Sequence, residues 1–255
     1  MINAALYRRE MKGGLRLLAV LAAVIALYVA VIVSMYDPQM MAMLDSFTRM
    51  MPQLMAAVGM RAGATNLLGF MVSYLYGFIL LVFPMAFCIL RANGLVAKYV
   101  DNGSMALLLA APVKRRAVAL TQLSALISGV VLLMIWTTAV ELVCAAIGFP
   151  GQVTLVGLLR LNGALTCLHL FLGGIGFLAS CAAPDTRYSL GFGAGIPVLM
   201  LVMRMLANMG GAAEKAKYFT CFTLFDPLGI VARESGAVWG AFALLAGRWR
   251  WMPWR

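Results

Sequence analysis

Residues 17–35, 67–90, 117–140 and 161–183 contain no Asp, Glu, Lys or Arg, and 188–203 is a shorter stretch of the same kind. A helix crossing a hydrocarbon core of roughly 30 Å needs about 20 such residues. Repeated along 255 residues, these runs make lipid, not a large soluble core, the solvent in which the chain folds. Charged residues are 11% of the total, against about 25% in a soluble domain. A porin-like barrel would alternate apolar and polar residues over strands of about 10 residues; these runs are continuous. The expected fold is an all-α polytopic membrane protein, one transmembrane domain over 1–255 with five or six spans.

Around the spans, residues 1–16 read as a short interfacial helix or extension, or as the positive flank of the first span. Leu6, Met11, Leu15 and Leu18 fall near one side of a helix, and Arg8, Arg9, Lys12 and Arg16 reach headgroup phosphates from its edges. The run that follows is longer than a signal-peptide core and further spans come after it, so an uncleaved first helix is expected. Asp37-Pro38 stops that helix, and Pro84 kinks the second. Pro150-Gly151 and Pro184-Asp185 close the third and fourth. Gly191, Gly193, Gly195 and Pro197 make the fifth either closely packed or locally broken. The last apolar piece, 237–247, is short for a span, and the tail 248–255 alternates Trp and Arg. It suits a surface or re-entrant helix, or an atypical sixth span.

The net charge of +11 would suggest nucleic acid for a soluble protein. Here the bases flank apolar runs, so anionic lipid headgroups are the nearer partner and no nucleic acid is expected. Arg8, Arg9, Lys12 and Arg16 precede the first span, and Arg91, Lys98, Lys114, Arg115 and Arg116 fall in or beside the connection 91–116. The excess of Lys and Arg there puts the N-terminus in the cytoplasm of a multi-pass protein of the plasma or inner membrane. The five cysteines show no metal-site spacing. The 19 methionines, many between 40 and 60, suit adaptable packing rather than a soft-metal site that lacks His and Cys.

Residues 98–116 are the most informative connection. Asp101 or Asn102 is placed to cap a short helix over Ser104–Ala110, Leu107, Leu108 and Leu109 give it an apolar side, and Pro112 ends it. By residue chemistry two readings stand: a helix that docks in a partner's groove, or an interfacial helix that covers lipid.

The chain resembles the ABC-2 type transporter permeases, the membrane subunits of type-2 ABC exporters. Leu6-Tyr7-Arg8-Arg9-Glu10-Met11-Lys12 is similar to the family's basic elbow before its first span. Asp101-Asn102-Gly103-Ser104, Leu107-Leu108, Pro112-Val113 and Arg115 resemble its acidic–Gly–Ser/Thr, Leu-Leu and Pro-Val-x-Arg coupling segment. Phe222-Thr223-Leu224-Phe225-Asp226-Pro227-Leu228 is similar to the aromatic external region before the last helix. Gln122 stands where many relatives have a basic residue, and the Trp/Arg tail departs from the usual continuation.

The resemblance covers most of 1–247 and implies a permease subunit of an ATP-driven exporter. Asp101, Gly103, Ser104, Leu107, Leu108, Pro112 and Val113 would contact a cytoplasmic ABC ATPase, with a second copy or a homologous permease beside the chain. ATP and Mg would sit in the ATPase: this chain has no Gly-rich loop ending Gly-Lys-Ser/Thr, and no directly bound cofactor is expected.

Tyr74, Tyr76, Glu141 and His169 are candidates for a substrate path. The rise of a helix carries Glu141 to the outer interface, where a structural or headgroup role competes with one in the path. His169 is read as a proton or metal group, or as a buried histidine hydrogen-bonded across helices; the tyrosines are also read as packing residues whose hydroxyls are satisfied. An enzyme is not expected, since no spacing fixes a nucleophile beside its base. An ion-coupled secondary transporter would need charge at the midplane of broken helices. A non-transporting assembly or immunity protein is the other alternative.

Overall fold

The computed structural model describes residues 2–60, 66–110 and 114–232, together with Ala237 and Gly240. Five helical segments are long and apolar enough to cross a membrane: Ala4–Ser34, Leu67–Asp101, Arg115–Gly148, Leu155–Ala182 and Thr186–Asn208. No strand occurs among the described residues. The chain is an all-α polytopic membrane protein. The stretch 237–255 lies outside the described residues apart from Ala237 and Gly240, and with it the question of a sixth span.

The first span, α1 (Ala4–Ser34), is one continuous helix of 31 residues, begun by Asn3, whose side chain accepts from the Leu6 N–H. Residues 4–16 are therefore its first turns and not a separate elbow. Gly13 and Gly14 are the only poor helix formers at the expected junction; at about 1 kcal/mol each they weaken a helix without breaking it. After α1 come α2 (Pro38–Met50) and α3 (Pro52–Ala57).

The second span is not uniform. It begins as α4 (Leu67–Met71), unwinds into a π-helical segment (Val72–Ile79), and continues as α5 (Leu80–Leu95) through Pro84. A proline has no N–H for the carbonyl one turn back and its ring crowds that carbonyl. A wider turn just upstream is one of the ways a helix accommodates such a residue. After a break at Val96 the chain forms α6 (Ala97–Asp101) and α7 (Ser104–Ala110). Arg91, read from sequence as the start of a loop, is inside α5.

The remaining spans are α8 (Arg115–Gly148), α9 (Leu155–Ala182) and α10 (Thr186–Asn208). The side chains of Thr154 and Asp185 cap α9 and α10. α10 is unbroken, and Gly193 lies close against Gly176 of α9. After α10 the chain folds into two 3-10 helices, Gly211–Phe219 and Cys221–Leu224, and α11 (Pro227–Val231).

The second and fourth spans hold the centre. Within their most apolar windows 61% and 56% of residues are buried, against 28%, 39% and 22% for α1, α8 and α10. On α1 the stripe Ile25, Val29 and Ile32 faces inward, while Val20, Leu27 and Val31 stay exposed, the pattern of a helix with lipid on one side. α1 and α8 run side by side in one direction: the Asn3 N–H donates to Thr121 and the Tyr7 hydroxyl to Ser128, and the Tyr36 ring meets Phe149. The start of α1, α6, α7 and the start of α8 thus share one end of the bundle. α3, the end of α10 and the 3-10 helices share the other.

Candidate functional site

Two buried glutamates organise the two ends. At the N-terminal end, Glu10 of α1 and Arg91 of α5 are 4% and 8% exposed. The guanidinium donates to the Glu10 backbone carbonyl, and its Nη2 lies 3.6 Å from Glu10 Oε2. Tyr99 of α6 donates its hydroxyl to Glu10 Oε1 at 2.7 Å, and Arg9 stands over the Tyr99 ring at 5.9 Å. Gly14 makes room for this: a Cβ there would sit 2.8 Å from Arg91 Cζ.

The break at Val96 is stabilised from outside its own helix. Gln122 Nε2 of α8 donates to the Leu95 carbonyl at 2.5 Å, and the Ala97 N–H donates to Ser180 Oγ of α9 at 2.9 Å. Backbone groups freed at a helix break need such partners where water is excluded. Beyond the break, Tyr99 ties α6 to α1. Next come Asp101 and Gly103, both exposed, and then α7, whose first N–H, that of Ser104, donates to Asn102 Oδ1 at 3.1 Å. The helix expected over Ser104–Ala110 has those bounds. Leu108 is partly buried, and for Leu107 only the backbone is described. Pro112 and Val113 lie outside the described residues.

At the other end, Glu141 is fully buried about two turns before α8 ends. Its side chain is turned into the bundle, between Tyr76 and Asn162. Oε2 accepts from the Tyr76 hydroxyl at 3.0 Å and from Asn162 Nδ2 of α9 at 2.6 Å. Among the described residues Oε1 has no partner, nor has Asn162 Oδ1. The π-helical segment brings Tyr76 here.

The other two candidates are elsewhere. Tyr74 packs its ring at a tilt against Phe70, with centroids 4.6 Å apart, in an aromatic cluster that Tyr36 and Phe149 extend. The His169 ring has Nδ1 2.8 Å from the Leu165 carbonyl and Nε2 3.2 Å from the Leu81 carbonyl. In either tautomer its N–H has an acceptor. This is the cross-helix hydrogen bonding that sequence offered as the plainer reading of a buried histidine.

The π-helical segment that carries Tyr76 also borders a cavity of about 540 Å³. Ser73 and Gly77 of the π-helical segment line one wall, and Arg204, Glu214, Lys217 and Asp226 supply charge. Lys217 donates to Glu214 Oε1 at 2.7 Å, which lowers the pKa of that carboxyl and raises that of the lysine. Phe222 and Phe225, from the aromatic stretch singled out in sequence, are buried beside the cavity. The loop after α3 closes on the same wall. Gly59, at φ +80°, presses on the π-helical backbone so closely that a Cβ would lie 2.8 Å from Gly77 Cα. Only glycine combines that φ with that approach.

Sequence reasoning missed Glu10, Arg91, Tyr99 and Asn162. Glu10 is the one acid among the first-turn bases of α1, and Asn162 is a lone amide in an apolar span. Both were visible signals for a buried polar partner. Among the described residues no cluster of His, Cys, Asp and Glu has the makings of a metal site. No family model matches the chain, and neither a curated protein nor a solved structure matches it.

Proposed function

We propose that the chain is the membrane-spanning permease subunit of an ATP-driven exporter of the ABC-2 type. In this reading a separate cytoplasmic ATPase binds ATP and Mg and docks on α6 and α7, and the chain itself holds no cofactor and catalyses no reaction. The N-terminus is cytoplasmic, the membrane is the plasma or inner membrane, and a second copy or a homologous permease completes the path. The first turns of α1 serve as the basic anchor that an elbow helix provides in such permeases.

The observation that carries this reading is the mechanical link at Val96. α6 and α7 stand beyond a break whose free backbone groups are held by α8 and α9, while Tyr99 reaches the Glu10–Arg91 pair between α1 and α5. Force on α7 therefore has a short route into four of the five spans. A ligand or motor shifts a conformational equilibrium only through contacts that differ between states, and this joint provides a place for such contacts.

The test is co-purification of the chain with a candidate ATPase from the neighbouring coding region. Replacing Asp101, Leu107 and Leu108 together with alanine should abolish the association while membrane insertion persists. Association at the wild-type level would overturn the docking role. A second reading, an ion-coupled transporter, draws on one observation, the buried Glu141 carboxyl with an unpartnered oxygen. It requires transport that persists without any ATPase.

A further inference from the structure

A carboxylate with no cation beside it is the most expensive group a membrane bundle can bury. Glu141 is 0% exposed and forms no ion pair among the described residues. From its own helix the titratable neighbour is Cys144. From the second span it is Tyr76, and α9 presents the amide of Asn162, with His169 about two turns further along. Arg160 of α9 and Asp226 before α11 are exposed, and α1 has no charged residue between 17 and 34. Nothing on these elements balances a negative charge.

The hydrogen-bond inventory points the same way. At this site two acceptors, Glu141 Oε1 and Asn162 Oδ1, lack a partner among the described residues, and they belong to the two groups already joined by the Asn162 Nδ2 to Glu141 Oε2 bond. A carboxylate and an amide oxygen cannot bond to each other, since neither has a hydrogen. One proton on Oε1 changes that. It turns Oε1 into a donor for Oδ1, so both orphans are satisfied at once and the charge is removed. The acid and the amide then form a closed two-way pair, with the Tyr76 hydroxyl still donating to Oε2. A sodium ion is a poorer occupant, because it would need several more oxygens than these two. A bridging water would satisfy the orphans and leave the charge.

We propose that Glu141 is a proton-binding site: its carboxyl is held as the neutral acid, with the Oε1 proton donated to Asn162 Oδ1, and that proton clasps the second, third and fourth spans together. Loss of the proton leaves a buried charge and two unsatisfied acceptors, so the three spans part or admit water. The π-helical segment that carries Tyr76 also lines the cavity, through Ser73 and Gly77. The site does not depend on the ATPase reading, and its test uses no ATPase.

The experiment is infrared spectroscopy of the full chain in lipid bilayers at pH 7. The carbonyl stretch of a protonated carboxylic acid should be present, should shift when the protein is grown on carbon-13 glutamate, should vanish in Glu141→Gln and should persist in Glu214→Gln. The isotope shift is read on the wild-type chain, so the result stands even if the glutamine variant fails to insert. Absence of a glutamic-acid carbonyl in the wild type, or its survival in Glu141→Gln, would overturn the proposal. So would a carboxylate band that Glu141→Gln removes, the signature of an ionised group bridged by water. Sodium-dependent loss of the acid band at constant pH would replace the proton with a cation and overturn it equally.

Discussion

Each end of this bundle buries one glutamate, and each glutamate accepts a hydrogen bond from one tyrosine hydroxyl, Tyr99 to Glu10 and Tyr76 to Glu141. The difference is the third partner. Glu10 has Arg91, whereas Glu141 has Asn162. A guanidinium balances a charge; an amide matches a neutral acid. The same residue type is thereby given two electrical roles by its neighbour, one a charge pair and the other a carrier of a proton. The lesson is that in a chain with so few intramembrane charges, the partner and not the acid decides the chemistry.

Substitutions that strip each partner in turn separate the two ends. Arg91→Ala leaves Glu10 buried and unbalanced, and thermal melting in detergent should show a loss of about 3–5 kcal/mol. A loss below 1 kcal/mol would mean that water reaches Glu10 and that the contrast is false. Tyr99→Phe removes a hydrogen bond to a charged acceptor and should cost about 1.5–3 kcal/mol by the same melt. It should also loosen α6, read as faster proteolysis between 97 and 110.

Gly59→Ala forces a left-handed backbone at about 1–2 kcal/mol and adds a clash against Gly77. Gly151→Ala, at φ +83° with open space around it, is the matched control and should cost less. If the two are equal, the loop does not press on the π-helical segment. Tyr76→Phe should be the mildest, about 0.6 kcal/mol, the mean for an interhelical hydrogen bond in a membrane. A Tyr76→Phe loss as large as that of Tyr99→Phe would show that Glu141 is charged.

Chemical labelling offers a check that does not pass through stability. Burial holds the Cys221 thiol up to about 12, whereas Cys181 is exposed. A maleimide at pH 8 should modify Cys181 in detergent and leave Cys221 untouched.

The spans were legible because apolar runs and their stops are local. Pro150-Gly151 and Pro184-Asp185 follow the ends of α8 and α9, and the Asn102 cap before Ser104 marks a helix start that the structure contains. The two glutamate sites were not legible in the same way. Glu10 and Arg91 are 81 residues apart, and Glu141 and Asn162 meet only because α8 and α9 present particular faces to each other. Facing is read from an amphipathic stripe, and spans that are apolar all round have too weak a stripe to fix their rotation. The π-helical turn adds to the difficulty, because it resets which residues of the second span face inward. Tyr74 and Tyr76 look equivalent in sequence, yet only Tyr76 reaches the acid.

The contact between Gly59 and Gly77 brings two main chains together with no side chain to cushion them. Whatever settles in the cavity and nudges the short connection after α3 must therefore displace the strip of backbone one residue from Tyr76. A ligand arriving from that face would thus be felt by the acid without ever touching it.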